Sequence, residues 1–272
     1  MRAHLVQLNI AWENKEQNFA RVRSLLDSTN ISAGDLIVLP EMFDTGFSFN
    51  TDATGDGMCH AGGKSCKTLA STGTTIEFLS RLARERQALV HGARTVVDSN
   101  GKGRNLASII GPDGSVQAEY AKIHPFSYGK ETERFVGGDT VLTYSWTCGG
   151  GEPVTICPAV CYDLRFPELF RRGLSLGATM YVIGANWPAP RAMHWRTLLI
   201  ARAIENQAFV VGVNRTGSDP ALTYSGGSIA VGPKGEILGE LADEEAVLSV
   251  RIDPAMVREW RATFPAWRDM KL

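Results

Sequence analysis

The stretch VTICPAVCYDLRFPELFRRG, Val154–Gly173, decides how this chain is read. VTICPAV is a short apolar run of strand length, and RFPELF is a helix start, with Pro167 near the first helical position and Glu168 in the first turn. A strand that passes directly into a helix is the building unit of an α/β fold. Cys161 stands at the joint, where oriented backbone N–H groups favour a thiolate and can hold an oxyanion. Free cysteine is otherwise a small buried hydrophobe. Cys157, inside the run, fits that description; Cys161 fits it poorly.

Outward from this joint the same alternation continues. Before it come a strand at 3–10, a helix at 15–28, a strand at 35–39, a helix at 74–86 and strands at 88–97 and 104–111. The strand at 154–160 is followed by a helix at 167–176, a strand at 179–184, a helix at 191–206, a strand at 208–213 and a short helix near 254–262. The pattern predicts sheets covered by helices. IIGPDGSVQAEY at 109–120 and IAVGPKGEILGEL at 229–241 are each a strand, a GPxG turn and a second strand, which suits two matching halves. With no Pro/Ser-rich linker, residues 1–272 are taken as one domain.

The composition narrows the function classes. The chain has 28 basic and 29 acidic residues, a formal net charge of −1, so no global field draws it to nucleic acid or an anionic membrane. No apolar run approaches the roughly 20 residues of a membrane helix, and no signal-peptide pattern opens the sequence, so a cytoplasmic protein is expected. Five cysteines without paired CxxC spacing argue against a disulfide framework or structural zinc. Cys59 and Cys66 flank a Gly-rich loop and are expected as free thiols.

Two further residues have the chemistry to act with Cys161. Glu41, in DLIVLPEMFDTGFSF, directly follows an apolar strand that Pro40 ends, where α/β folds often set ligand groups; a solvated loop glutamate is the other reading. Lys122, in AEYAKIHPF, reads by default as a surface lysine, yet Tyr120, Ile123 and Phe126 surround it with apolar bulk, where an ammonium is held only for a purpose or by a partner carboxylate. Cysteine pairs more often with histidine, so His124 and His194 are weighed too. Each also reads as a packed, hydrogen-bonded residue.

LPEMFDTGF, KIHPF and VCYDLRFPELFR resemble, in order, the three catalytic segments of the carbon-nitrogen hydrolase (nitrilase) superfamily. ANWPAPRAMHWRTLLIARAIENQAFVVGVNRTGSD, Ala185–Asp219, is especially similar to bacterial omega-amidases. The resemblance covers nearly the whole chain and implies a four-layer αββα sandwich, commonly paired through its helical layers into a homodimer. It puts the base on Glu41, the lysine on Lys122 and the nucleophile on Cys161. A second glutamate that holds the catalytic groups falls on Glu131 in GKETERFVGGD, with Glu133 as the rival placement. Departures are the long Gly/Cys-rich stretch Thr51–Gly73 and an enlarged hairpin turn at Ser145–Pro153.

That set implies attack by the Cys161 sulfur on an amide carbonyl, with Glu41 as base and with Lys122 and the Tyr162 backbone N–H holding the oxyanion. No metal or organic cofactor is implied. The expected substrate is a small amide, the omega-amide of a short 2-oxo dicarboxylic acid such as 2-oxoglutaramate or 2-oxosuccinamate. Arg165 either pairs with the distant carboxylate or forms a structural salt bridge with Asp163 or Glu168. Phe47, Phe126, Asn186 and Trp187 are candidate pocket walls. An N-carbamoyl amidohydrolase, a true nitrilase and an inactive scaffold or binding protein of the same fold are the alternatives.

Overall fold

Val154 and Ile156 of the opening strand face one apolar layer and Cys157 and Ala159 another, the alternation of a strand buried on both sides. The computed structural model, which describes residues 1–58, 71–72 and 74–271, shows what lies on each side. The first part of the chain runs β1 (Arg2–Gln7), α1 (Lys15–Asp27), β2 (Leu36–Val38), α2 (Thr51–Thr54), β3 (Asp56–Met58), β4 (Ser71–Thr72), α3 (Thr74–Arg86), β5 (Leu89–Val97), β6 (Gly103–Ile110) and β7 (Val116–Ala121). Asn14 caps α1 by accepting from the Gln17 N–H. The second part runs β8 (Tyr144–Trp146), β9 (Val154–Val160), α4 (Pro167–Ser175), β10 (Met180–Ala185), α5 (Ala192–Asn206), β11 (Phe209–Asn214), β12 (Thr216–Ser218), β13 (Thr223–Ser225), β14 (Ile229–Val231), β15 (Ile237–Glu240), β16 (Ala246–Arg251) and α6 (Pro254–Thr263).

These strands form two large sheets of the same plan. The first is ordered β16-β1-β2-β5-β6-β7, with β3 and β4 alongside the far end of β5; the second is β8-β9-β10-β11-β14-β15. In each, an antiparallel edge strand is followed by three parallel strands and then an antiparallel hairpin. The two GPxG turns occupy equivalent places. Gly111 N–H donates to Ser115 O and Gly232 N–H to Glu236 O, both at 2.8 Å, and both hairpins shift register just before the turn. The enlarged turn at 147–153 joins β8 to β9.

Three apolar cores separate four layers. Leu36 and Val38 meet Ile156, Val182 and Val211 between the sheets. Ile37 and Val90, on the other face of the first sheet, pack against Val22 and Leu26 of α1 and Leu79 and Leu82 of α3. Cys157, Ile183 and Val210 pack against Phe170 of α4 and Leu199 of α5. The architecture is the αββα sandwich. Among the described residues no helix is long and apolar enough to cross a membrane. Cys59 and Cys66 lie outside the described residues.

Candidate active site

Lys122 and Cys161 each stand one residue beyond a strand and Glu41 three residues beyond β2. Pro40 ends the run from β2, and Gly184 of β10 lets the Glu41 turn approach: a Cβ there would lie 3.0 Å from Leu39 O and 3.1 Å from the Glu41 nitrogen. Lys122 follows β7 and keeps the sheet's spacing, donating its N–H to Asn105 O at 2.9 Å. Cys161 follows β9 at φ +46°, a left-handed conformation that is strained by about 1–3 kcal/mol for a residue with a side chain. It opens a 3-10 turn, Cys161–Arg165, that leads into α4. The sharp corner lifts the thiol out of the strand.

Glu41, Lys122 and Glu131 are buried together. The Lys122 ammonium donates to Glu41 Oε1 at 2.9 Å and to Glu131 Oε2 at 2.8 Å. Asn105 Nδ2 donates to both carboxylates, at 2.7 Å to Glu41 Oε1 and 3.3 Å to Glu131 Oε1. Asn186 holds the other Glu41 oxygen through its backbone N–H at 2.8 Å. Burial by itself pulls the Lys122 ammonium down, and the Glu131 and Glu41 charges reverse this, raising it above the ordinary lysine value. Of the rival glutamates, Glu131 makes these contacts; Glu133 is 66% exposed beside Lys130.

The Cys161 thiol is pushed well above its usual value, first by burial and then by the Glu41 carboxylate, against the opposing pull of Lys122. It therefore rests protonated at neutral pH. A base beside it and an ammonium nearby suit an attack in which the proton leaves as the sulfur bonds to carbon.

Asp163 is a brace behind the thiol. It is fully buried and accepts from Tyr120 OH (2.8 Å), Val160 N–H (3.0 Å), His124 N–H (3.0 Å) and His124 Nδ1 (2.8 Å). Three of these bonds tie the Cys161 corner to residues on either side of Lys122, and the Val160 bond closes the corner on itself. Of the alternatives read for Arg165, the salt bridge with Asp163 does not form. Among the described residues Arg165 forms no ion pair with Glu168 either; its guanidinium lies 4.8 Å from the Trp187 ring centroid, and Nη2 is 3.3 Å from His194 Nδ1. His124, stacked on Phe166 at 3.7 Å, and His194 are held by these contacts, and neither lines the cavity.

Glu41, Lys122 and Cys161 line one cavity of about 440 Å³, together with Phe47, Phe126, Tyr162, Arg165, Asn186 and Trp187. Every wall residue named from the sequence is there. The cavity is the size of a small-ligand site. Among the described residues no group of three or more His, Cys, Asp or Glu side chains is placed to hold a metal ion.

A family model for carbon-nitrogen hydrolases matches residues 2–262. The chain belongs to the carbon-nitrogen hydrolase family. This carbon-nitrogen hydrolase is 34% identical over 271 residues to omega-amidase YafV of Escherichia coli strain K12, covering 99% of the chain and 96% of the relative. It is 34% identical to a 2-oxoglutaramate amidase of Paenarthrobacter nicotinovorans, covering 94% and 84%. A CN-hydrolase superfamily protein of Xanthomonas campestris, solved with an arsenic adduct in its active site, superposes with a TM-score of 0.87 at 33% identity, over 100% of this chain and 97% of that one. The carbon-nitrogen hydrolase is an omega-amidase-like enzyme, an amidase of this superfamily.

Reading the sequence missed Asn105, Asp163 as a brace, and Arg191 in the cavity wall. Asn105 left a trace, because an asparagine inside the strand GRNLASII is out of place unless its amide is used. Asp163 and Arg191 left none, since aspartate in a turn and arginine before a helix are ordinary.

Proposed function

We propose that this amidase hydrolyses the omega-amide of short 2-oxo dicarboxylic acid monoamides, 2-oxoglutaramate and 2-oxosuccinamate, to the acid and ammonia through a thioester. The observation that carries the mechanism is the meeting of Cys161, Glu41 and Lys122 on one small cavity. Glu41 takes the thiol proton as the Cys161 sulfur bonds to the amide carbon. The carbonyl oxygen becomes an oxyanion, held by the Lys122 ammonium and the Tyr162 N–H. Glu41 passes the proton to the amide nitrogen, the carbon–nitrogen bond breaks and ammonia leaves a thioester on Cys161. Glu41 then deprotonates a water that attacks the thioester carbon, and the returning proton restores the thiol. Glu131 acts through Lys122, holding the ammonium in line.

The substrate class is supported by the omega-amidase and 2-oxoglutaramate amidase relatives and by Arg165, a cation in the cavity wall with no carboxylate among the described residues. Phe47 and Phe126 supply apolar walls, and Asn186 and Trp187 close the side on which Glu41 is held. The test is a panel on the purified protein of 2-oxoglutaramate, 2-oxosuccinamate, N-carbamoyl amino acids and nitriles, with Cys161→Ala as control. Oxo-acid amide turnover that Cys161→Ala abolishes, with a trapped acyl adduct on Cys161, is the expected result. Preference for carbamoyl substrates or nitriles would overturn the substrate class. Near wild-type activity in Cys161→Ala would overturn the mechanism. The reading includes a homodimer paired through a helical layer, supported by Met193 and Ile204 on α5, which are 68% and 53% exposed; sedimentation at two protein concentrations tests it.

A further inference from the structure

Of the three cations that line the cavity, Lys122, Arg165 and Arg191, the hydrolytic chemistry uses only Lys122. Lys122 is neutralised by two carboxylates, but Arg165 and Arg191, which line the same cavity, have no carboxylate partner among the described residues. The acids of the wall are engaged elsewhere. Glu41 is held by Lys122, Asn105 and Asn186. Glu13 accepts from Ser48 Oγ at 2.5 Å and Asn50 Nδ2 at 3.4 Å. Asp219 accepts from the Ala221 and Leu222 N–H groups at 2.8 and 2.7 Å and from Tyr224 OH at 2.5 Å.

Both guanidiniums are instead set on aromatic faces, and one residue connects them. Arg165 lies 4.8 Å from the Trp187 ring centroid. The Trp187 indole N–H donates to Arg191 O at 2.8 Å, and the Arg191 guanidinium lies 5.6 Å from the Phe126 ring. The segment between is WPAPR, with Pro188 and Pro190 fixing the backbone and the Arg191 N–H closing a turn on Pro188 O at 3.0 Å. A guanidinium placed over a ring face by a cation–π contact still has N–H donors for a carboxylate, and the contact restricts its position before a ligand arrives.

We infer that Arg191 is a specificity-determining residue of the cavity, which with Arg165 forms an anion subsite for the carboxylate end of the amide substrate. The inference rests on the substrate class proposed above and adds a residue that neither the motifs nor that reading assign. A charge-assisted hydrogen bond of this kind contributes about ten- to a hundredfold in kcat/KM.

The experiment compares kcat/KM for 2-oxosuccinamate and for butyramide, a neutral amide of the same chain length, in the wild type, Arg191→Gln and Arg191→Lys. The ratio of the two substrates is expected to fall at least tenfold in Arg191→Gln, mainly through KM for the anionic amide, and to recover in part in Arg191→Lys. Calorimetry of 2-oxosuccinamate on Cys161→Ala, with and without Arg191→Gln, gives the same information without turnover; a tenfold weaker Kd is expected. If the wild type prefers 2-oxosuccinamate and Arg191→Gln keeps the ratio within twofold, the subsite is wrong while the substrate class stands. If the wild type shows no preference for the carboxylate-bearing amide, the substrate class fails and the subsite with it.

Discussion

Replacing Lys122 by methionine tests the buried charge cluster most directly. The substitution keeps much of the side-chain volume and removes the cation. Glu41 Oε1 and Glu131 Oε2 each lie within 2.9 Å of the ammonium, so they face each other across no more than about 6 Å. At that separation, with an effective dielectric near 20, two carboxylates repel by roughly 3 kcal/mol. Loss of one partner from a buried ion cluster typically costs about 3–5 kcal/mol, and for a chain of this size that corresponds to a fall in Tm of roughly 6–10 °C at pH 8. The pH dependence has a definite sign. In the variant the folded pair binds a proton more tightly than the unfolded chain does, so the deficit is largest at high pH and shrinks as pH falls. Thermal unfolding of wild type and variant between pH 8 and pH 5, followed by circular dichroism, reads both effects. A Tm for Lys122→Met within 2 °C of wild type at pH 8, or a deficit that does not narrow on acidification, would show that the Lys122 ammonium does not hold the two carboxylates together.

Three further outcomes are expected. Gly184→Ala sets a Cβ against the Leu39 carbonyl and the Glu41 nitrogen, both backbone atoms, so the Glu41 turn has to move; kcat should fall at least tenfold for a stability loss of only about 1–3 kcal/mol, and unchanged kcat would remove Gly184 from the positioning of Glu41. His91 lies between the sheets with Nδ1 2.9 Å from Tyr144 OH, and burial lowers its pKa from 6.5 to about 3. Below pH 6.5 the unfolded chain takes a proton that the folded one refuses, so wild type should lose about 2 kcal/mol between pH 7 and pH 5 that His91→Gln does not lose; urea unfolding at the two pH values measures it. Cys157 is fully buried, and its thiol is pushed up to about 12 by burial and by the Asp163 charge, so iodoacetamide at pH 8 should leave it unlabelled in the native protein and modify it in urea, as read by peptide mass.

Most of the strands and helices are where the pattern puts them, within a residue or two, as β9 at Val154–Val160, α4 from Pro167 and α3 at Thr74–Arg86 show, while β1 ends at Gln7, three residues before the expected end at 10. Elements stabilised by partners rather than by their own pattern were not legible. AVLSVR at 246–251 carries no clear alternation, yet as β16 it pairs along the whole of β1 and closes the edge of the first sheet. Similarly, the turn motifs at Gly111 and Gly232 suggested two matching halves, but the equivalent strand order of the two sheets emerges only from the pairing.

For the site, local chemistry raised the candidates, a thiol at a strand-to-helix corner, a glutamate just past a strand and a lysine among apolar neighbours, and the family resemblance of their motifs singled them out. Those are properties of a few consecutive residues, and backbone geometry makes them readable. Which groups meet is a property of the folded chain. Glu41 meets Lys122 across 81 positions and Asn186 across 145. Only that packing sets Glu131, and not Glu133, against the Lys122 ammonium, turns Asp163 toward Tyr120 and His124 instead of Arg165, and leaves Arg165 and Arg191 lining a cavity. The physical reason is that a buried charge is fixed by whichever partner the cores bring within about 3 Å, and sequence spacing carries no record of that distance.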